Sequence, residues 1–194
     1  MALTEQQFQK AAKLINAEVA AVKAVNEVES SGTGFLKDGR PKILFEGHIF
    51  WKQLLKKGID PKKKQKNNED VLYPVWDKTK YLGKEAEYIR LEKAKKIDES
   101  CALASASYGA FQIMGYHFQR CGFNSVQEFV AAQLSEEQQL AAFICFIKDQ
   151  HLDVNLRHLD WAGFALGYNG KGYHMNQYDT KLMNAYKKFS AIHA

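Results

Sequence analysis

The chain has 194 residues, 46% of them hydrophobic and 25% charged, which suits one well-packed domain over residues 1–194 and is short for two. A net charge of +5 and a pI of about 8.9 favour anionic surfaces but fall below what a dedicated nucleic-acid binder carries, so no nucleic-acid partner is expected. The N-terminus lacks a basic region followed by an apolar run, and no stretch approaches the ~20 apolar residues of a membrane span, so neither a signal peptide nor stable membrane insertion is expected.

In chain order, Leu3 to Phe8 opens a helix, with Thr4 as N-cap, Gln7 closing a capping box and Leu3 set to staple against Phe8. Val19, Val22, Val25 and Val28 then line one side of a second helix that Ala20, Ala21 and Ala24 keep slim enough to bury. Glu29 ends that helix, and Ser30, Ser31, Gly32 and Gly34 release the chain into a loop. A carboxyl held at the edge of an apolar body has its charged form disfavoured, so it can stay protonated near neutral pH and act as a general acid.

Gly34 to Phe45 reads as a short β-hairpin, with Phe35 and Leu36 on one arm, Asp38-Gly39 as the turn and Ile43, Leu44 and Phe45 on the other. Glu46 closes the second arm, and His48, Ile49, Phe50, Trp51, Leu54 and Leu55 form an amphipathic helix stopped by Gly58 and Pro61. Lys56 to Lys66 carries six lysines against Asp60 and is expected to be a solvated, mobile loop, either a guide toward an acidic polymer or plain solubilising surface. From Tyr81 to Ala104 the pattern predicts two helices bending near Asp98, the first with Ala86, Ile89, Leu91 and Ala94 as its apolar residues.

Ser105 to Gly115 is neither amphipathic helix nor alternating strand, a mixture of small residues, aromatics and one amide of the kind that lines sites. Ser125 with Glu128, and Ser135 with Gln138, are two capping boxes, and the helix after the second is central through Leu140, Phe143, Ile144 and Ile147. Trp161 to Leu166 makes a short helix that ends in a loop, Gly167 to Tyr173, where glycines permit close approach and tyrosines offer flat platforms. The last helix, Asn176 to Phe189, sets Lys181, Lys187 and Lys188 opposite Leu182, Met183, Tyr186 and Phe189, a pattern of C-terminal packing.

The ordered set Glu29-Ser30, Ser107-x-Gly109-x-x-Gln112-Ile113 and Tyr168-Asn169 resembles the lysozyme superfamily branch of goose-type lysozymes and soluble lytic transglycosylases. Over nearly the whole chain, VESSGTGF, the Gly39–Trp51 block, SASYGAFQIMG and GYNG are similar to the N-acetylmuramidase domain of bacteriophage endolysins. The span between Glu29 and the Gly-x-x-Gln-Ile run is longer than in goose-type proteins, which favours the phage family. The resemblance implies a predominantly α-helical α+β, lysozyme-like fold with one short β-hairpin; many phage members carry a separate wall-binding module, and its expected absence here is a departure from them. It also implies a muramidase that cuts peptidoglycan between N-acetylmuramic acid and N-acetylglucosamine, with Glu29 as catalytic acid and Glu46 corresponding to the family's hairpin-end Glu. Such a protein is made in the bacterial host cytoplasm and reaches the wall through a pore.

Cleaving a glycosidic bond needs a proton donor and a means of stabilising an oxocarbenium-like centre, usually a second carboxylate. Glu29 suits the first role. Glu46 is either that second carboxylate or a structural Glu bonded to backbone amides, in which case a single-acid transglycosylase route, with the sugar's own hydroxyl as nucleophile, stays open. Retaining and inverting outcomes both remain open. Ser107, Gln112, Tyr168 and Asn169 are expected to bind glycan by hydrogen bonds, with Tyr108 and Tyr173 stacking on sugar rings; ordinary loop capping is the alternative for each.

Neither His48, His117, His151, His158, His174 and His193 nor the separated Cys101, Cys121 and Cys145 form a metal-ligand spacing, so no metal, cofactor or disulfide framework is expected. A monomer is expected. The rival from another class is a non-catalytic binder of cell wall or other anionic polymer, which accounts for the lysines but not for Glu29 or the glycine-rich tyrosine loop.

Overall fold

The computed structural model describes residues 3–30 and 33–191, so Ser31, Gly32 and His193 lie outside the described residues. In chain order the elements are α1 (Glu5–Ile15), α2 (Val19–Glu29), β1 (Ile43–Phe45), α3 (Gly47–Lys56), α4 (Lys62–Gln65), α5 (Ala86–Lys95), α6 (Glu99–Ala104), β2 (Ala106–Tyr108), β3 (Ile113–Met114), α7 (Val126–Ala132), α8 (Glu136–Asp149), α9 (Asp153–Arg157), α10 (Trp161–Asn169) and α11 (Tyr178–Ser190). Backbone contacts gather them into two units, Met1–Thr33 with Ser135–Ala194, and Gly34–Leu134.

The first unit is helical. Thr4 caps α1 in the expected box, its side chain accepting from the Gln7 N–H while the Gln7 side chain accepts from the Thr4 N–H. The apolar stripe of α2 is buried through Ala20, Ala21, Val22, Ala24 and Val25, and this helix packs on α1 and on α11, whose Leu182 and Ala185 are buried. Leu140, Phe143, Ile144 and Ile147 of α8 are buried as their spacing predicts. Ser135 stands at the N-cap of α8 without a side-chain bond, so the expected second capping box is not formed. Helix α10 runs on to Asn169, three residues beyond the expected end. Gly167 is therefore helical, and its missing side chain makes room for Leu152, whose Cδ2 would lie 2.3 Å from an added Cβ. Helix α11 starts at Tyr178, two residues later than expected, after a 3-10 turn over Tyr173–Asn176 and the left-handed Gln177.

The second unit holds the sheet, and here the expected hairpin is corrected. The loop from Gly34 closes as anticipated, with Leu36 N–H donating to Arg40 O and Lys42 N–H to Gly34 O. Its first arm contributes only an isolated bridge, Phe35 to Pro41, because proline lacks the N–H that a continuing ladder requires. Ile43–Phe45 pairs instead with Ala106–Tyr108, antiparallel, and that strand pairs with Ile113–Met114, giving the order β1-β2-β3. The Ser105–Gly115 run thus contains a hairpin of its own. Its strands do not alternate because β2 is buried throughout.

Helix α5 begins at Ala86 and hands over to α6 at Asp98, which caps the latter by accepting from Cys101 N–H. Leu91 and Ala94 are buried as the apolar pattern predicts, but Ile89 is 69% exposed, while the charged Glu87 and Arg90 are buried at 0% and 2%. Glu87 accepts from the N–H groups of Phe45, Leu82 and Gly83 and from Arg90 Nη1. Arg90 donates to Phe45 O, Asp70 O and the Tyr73 hydroxyl. The Glu87 carboxylate and both Arg90 Nη atoms are engaged, as a buried pair requires, while Arg90 Nε has no hydrogen-bond partner among the described residues. The lysine segment is also more ordered than a mobile loop: Lys62–Gln65 forms α4, braced by Asp60 accepting from Lys62 N–H and by Asn68 donating to Lys64 O, with Lys62, Lys63, Lys64 and Lys66 exposed. Ser125 accepts from Glu128 N–H to start α7. Among the described residues no helix is long and apolar enough to cross a membrane.

Candidate active site

Glu29 sits in the last turn of α2, half-buried, where the apolar stripe fixes the helix and the chain then departs in extended conformation at Ser30. Asn169 Nδ2, in the last turn of α10, donates to Glu29 Oε1 at 3.0 Å. Burial pushes the Glu29 carboxyl above its ordinary value, against the smaller lowering effects of the Asn169 bond and the Lys181 charge on α11. Among the described residues no hydrogen bond reaches Oε2, which leaves that oxygen to carry the proton. Tyr168 precedes Asn169 and packs inward, its ring stacked on Phe164 at 5.7 Å and edge-on to Phe143. The expected pair therefore divides its work: Asn169 touches the acid, and Tyr168 anchors the helix end that holds Asn169.

Glu46 lies between β1 and α3 in the second unit. Its backbone N–H donates to Ser105 O, and Gly47 behind it is pressed against Tyr73, where an added Cβ would lie 2.3 Å from the ring. No backbone amide among the described residues bonds the Glu46 carboxylate, so the expectation of a Glu bound by amides does not fit. Oε2 accepts instead from the Tyr81 hydroxyl at 2.5 Å and lies 3.3 Å from His48 Nδ1. Burial lowers the His48 pKa more than the adjacent Glu46 raises it, so this contact joins a carboxylate to a largely neutral imidazole, without hydrogen-bond alignment. Burial and then the bond to Glu46 push Tyr81 well above the usual tyrosine range, which keeps its hydroxyl a donor. Among the described residues no hydrogen bond reaches Glu46 Oε1.

The β2–β3 turn uses its own polar groups. Ser107 Oγ donates to Gln112 Oε1 at 2.8 Å, and Gln112 Nε2 donates back to Gly109 O at 2.8 Å and to Lys42 O at 3.4 Å. Gly109 and Gln112 both hold left-handed backbone, a conformation that this lattice of bonds sustains. Ser107 and Gln112 thus bond within the turn. Tyr108 is 2% exposed, with its ring edge-on to Phe129 and its hydroxyl donating to Leu103 O, so the expectation that it stacks on a sugar does not fit its place in the core. Tyr173 is likewise buried, its ring lying against His174.

Sequence reasoning missed Tyr81, His48 and Lys181 as neighbours of the two carboxylates. The only local signal was the i, i+2 relation of Glu46 and His48 at a helix start; Tyr81 arrives from 35 residues away.

The sequence matches the model of the N-acetylmuramidase family over residues 18–190. Among solved structures it is similar to the crystal structure of the Burkholderia AP3 phage endolysin, with 43% sequence identity, a TM-score of 0.91, and coverage of 97% of this chain and 72% of that one. No curated protein matches. The family match takes in both carboxylates, the β2–β3 turn and the end of α10, and on that extent this chain belongs to the N-acetylmuramidase family.

Proposed function

We propose that the protein is an endolysin that hydrolyses peptidoglycan strands between N-acetylmuramic acid and N-acetylglucosamine, with Glu29 as proton donor and Glu46 as the second carboxylate. The observation that carries this reading is the half-buried Glu29, with proton affinity raised by burial and one oxygen engaged by Asn169. Protonated Glu29 gives its proton to the leaving glycosidic oxygen, while the Glu46 carboxylate, held through Oε2 by Tyr81, offers Oε1 to an attacking water or to the developing positive centre. The protein works as a monomer, made in the host cytoplasm and released to the wall through a pore.

Zymography on peptidoglycan gels, followed by mass spectrometry of the products, tests it. Reducing N-acetylmuramic acid ends are expected. Anhydro ends would replace hydrolysis with the single-acid transglycosylase route, and reducing N-acetylglucosamine ends would mean a glucosaminidase.

Glu46→Gln is expected to cut turnover by about 100-fold or more, with normal pull-down on purified peptidoglycan, because the general base is lost and Glu29 is not. A lowered melting point with preserved turnover would return Glu46 to a bracing role.

The exposed lysines of α4 favour an anionic wall. Replacing Lys62, Lys63, Lys64 and Lys66 by Glu is expected to slow lysis at low salt and to matter little at high salt, since the screening length is ~10 Å at 0.1 M. An unaltered salt profile would leave α4 as plain surface.

A further inference from the structure

Within the second unit, the segment from Asp70 to Gly83 exposes apolar surface that the catalytic assignment leaves unexplained. Trp76 is 57% exposed, Val75 before it 73% and Leu82 62%, whereas Val71, Leu72 and Tyr73 just upstream are buried. A tryptophan on a wandering loop would be ordinary surface, but this loop is fixed at both ends to one buried ion pair. Arg90 Nη2 donates to Asp70 O at 3.2 Å and to the Tyr73 hydroxyl at 3.0 Å, and Glu87 Oε1 accepts from Leu82 N–H at 2.7 Å and Gly83 N–H at 2.9 Å. Between them, Asp77 Oδ1 accepts from both the N–H and the hydroxyl of Thr79, which closes the 3-10 turn Lys78–Lys80. The Trp76 side chain reaches the Tyr81 hydroxyl, the same group that donates to Glu46 at 2.5 Å.

We propose that Trp76 is a sugar-stacking subsite that takes the apolar face of a pyranose ring in the same glycan strand that Glu46 engages, a reading that rests on the muramidase assignment. A half-exposed indole on a clamped loop suits a sugar, whose C–H face is apolar while its hydroxyl and acetamido groups stay solvated. The charged neighbours Asp77, Lys78 and Lys80 break up the patch that a hydrocarbon or a protein core would need. Because the loop is clamped, binding spends little free energy on ordering it.

Kinetics on stem-free glycan strands test the subsite. Trp76→Ala is expected to raise KM about tenfold, the order of an aromatic stacking contact, with kcat held within about twofold, and Trp76→Phe is expected to recover most of the loss. In parallel, an N-acetylglucosamine oligomer is expected to change the tryptophan emission of the wild type and to lose that effect in Trp76→Phe, which retains Trp51 and Trp161 as internal controls for the fold. Unchanged KM in Trp76→Ala beside an active wild type overturns the subsite alone. A defect confined to intact cells overturns it too, because the partner would then not be the glycan. An inactive wild type overturns the muramidase reading and the subsite with it.

Discussion

Glu29→Gln is expected to leave a folded protein that degrades peptidoglycan at least about 100-fold more slowly, because the amide keeps the shape of the side chain but has no transferable proton. The pH behaviour sharpens the test. Burial raises the Glu29 pKa above 4.5, so in the interval between 4.5 and the folded value the native state holds more protons than the unfolded chain. Stability contributed by this group is therefore fully present at low pH and falls as pH rises through that interval. Glutamine carries no charge at any pH and escapes this loss. The variant is expected to melt at or above the wild-type temperature at pH 7 and to converge with it in acid, while wild-type activity declines as pH rises through the Glu29 pKa. Lost turnover beside retained or increased stability isolates the chemical role. A folded variant that clears a wall suspension at near wild-type rate would sink the assignment.

The second large effect concerns stability. Glu87→Ala removes the acceptor of three backbone N–H groups and strands the Arg90 guanidinium in the core, a change expected to cost about 3–5 kcal/mol. Arg90→Met leaves Phe45 O, Asp70 O and the Tyr73 hydroxyl without that donor and should fall in a similar range. The combination Glu87→Ala with Arg90→Met is expected to lose less than the sum of the two single losses, since no uncompensated charge remains buried. Urea titrations of the three proteins decide it. Single-variant losses below about 1 kcal/mol, as for an exposed pair, would show that water enters the site and that the clamp on the Asp70–Gly83 loop is weak.

What could be read from the sequence follows the range of the physics involved. The cap at Thr4, the bend near Asp98 and the Val/Ala stripe of α2 depend on neighbours within one turn, and each appears where the pattern puts it. Glu29 was legible for that reason, since the helix that carries it is specified locally. The sheet was not: Ile43–Phe45 pairs with the distant Ala106–Tyr108, and only Pro41, which lacks an N–H, marks where the Phe35 arm stops. On α5, Leu91 and Ala94 face inward as expected, but Ile89, Glu87 and Arg90 depart from the pattern, because apolar periodicity takes charge as a mark of the surface. Glu87 and Arg90 are buried only because β1, the Asp70–Tyr73 stretch and the Leu82–Gly83 stretch converge on them. Tyr81 beside Glu46 is hidden for the same reason. Gly167 misled in the other direction, since a glycine that looked like loop punctuation is a helical residue making room for Leu152.

The bond from Asn169 to Glu29 spans 140 positions of the chain, and the first unit is itself discontinuous, with residues 34–134 inserted between its two parts. During synthesis at roughly 5–20 residues per second, α2 emerges and then waits some seconds to tens of seconds for α10 and α11. The second unit is continuous and is complete before α8 is made. Until α10 and α11 arrive, α2 has α1 but lacks α11 as a packing partner, and Glu29 lacks the Asn169 bond and the Lys181 charge. A nascent chain that stops before α10 thus lacks the amide that engages Glu29, and the proposed proton donor takes on its native surroundings only after α11 has been made.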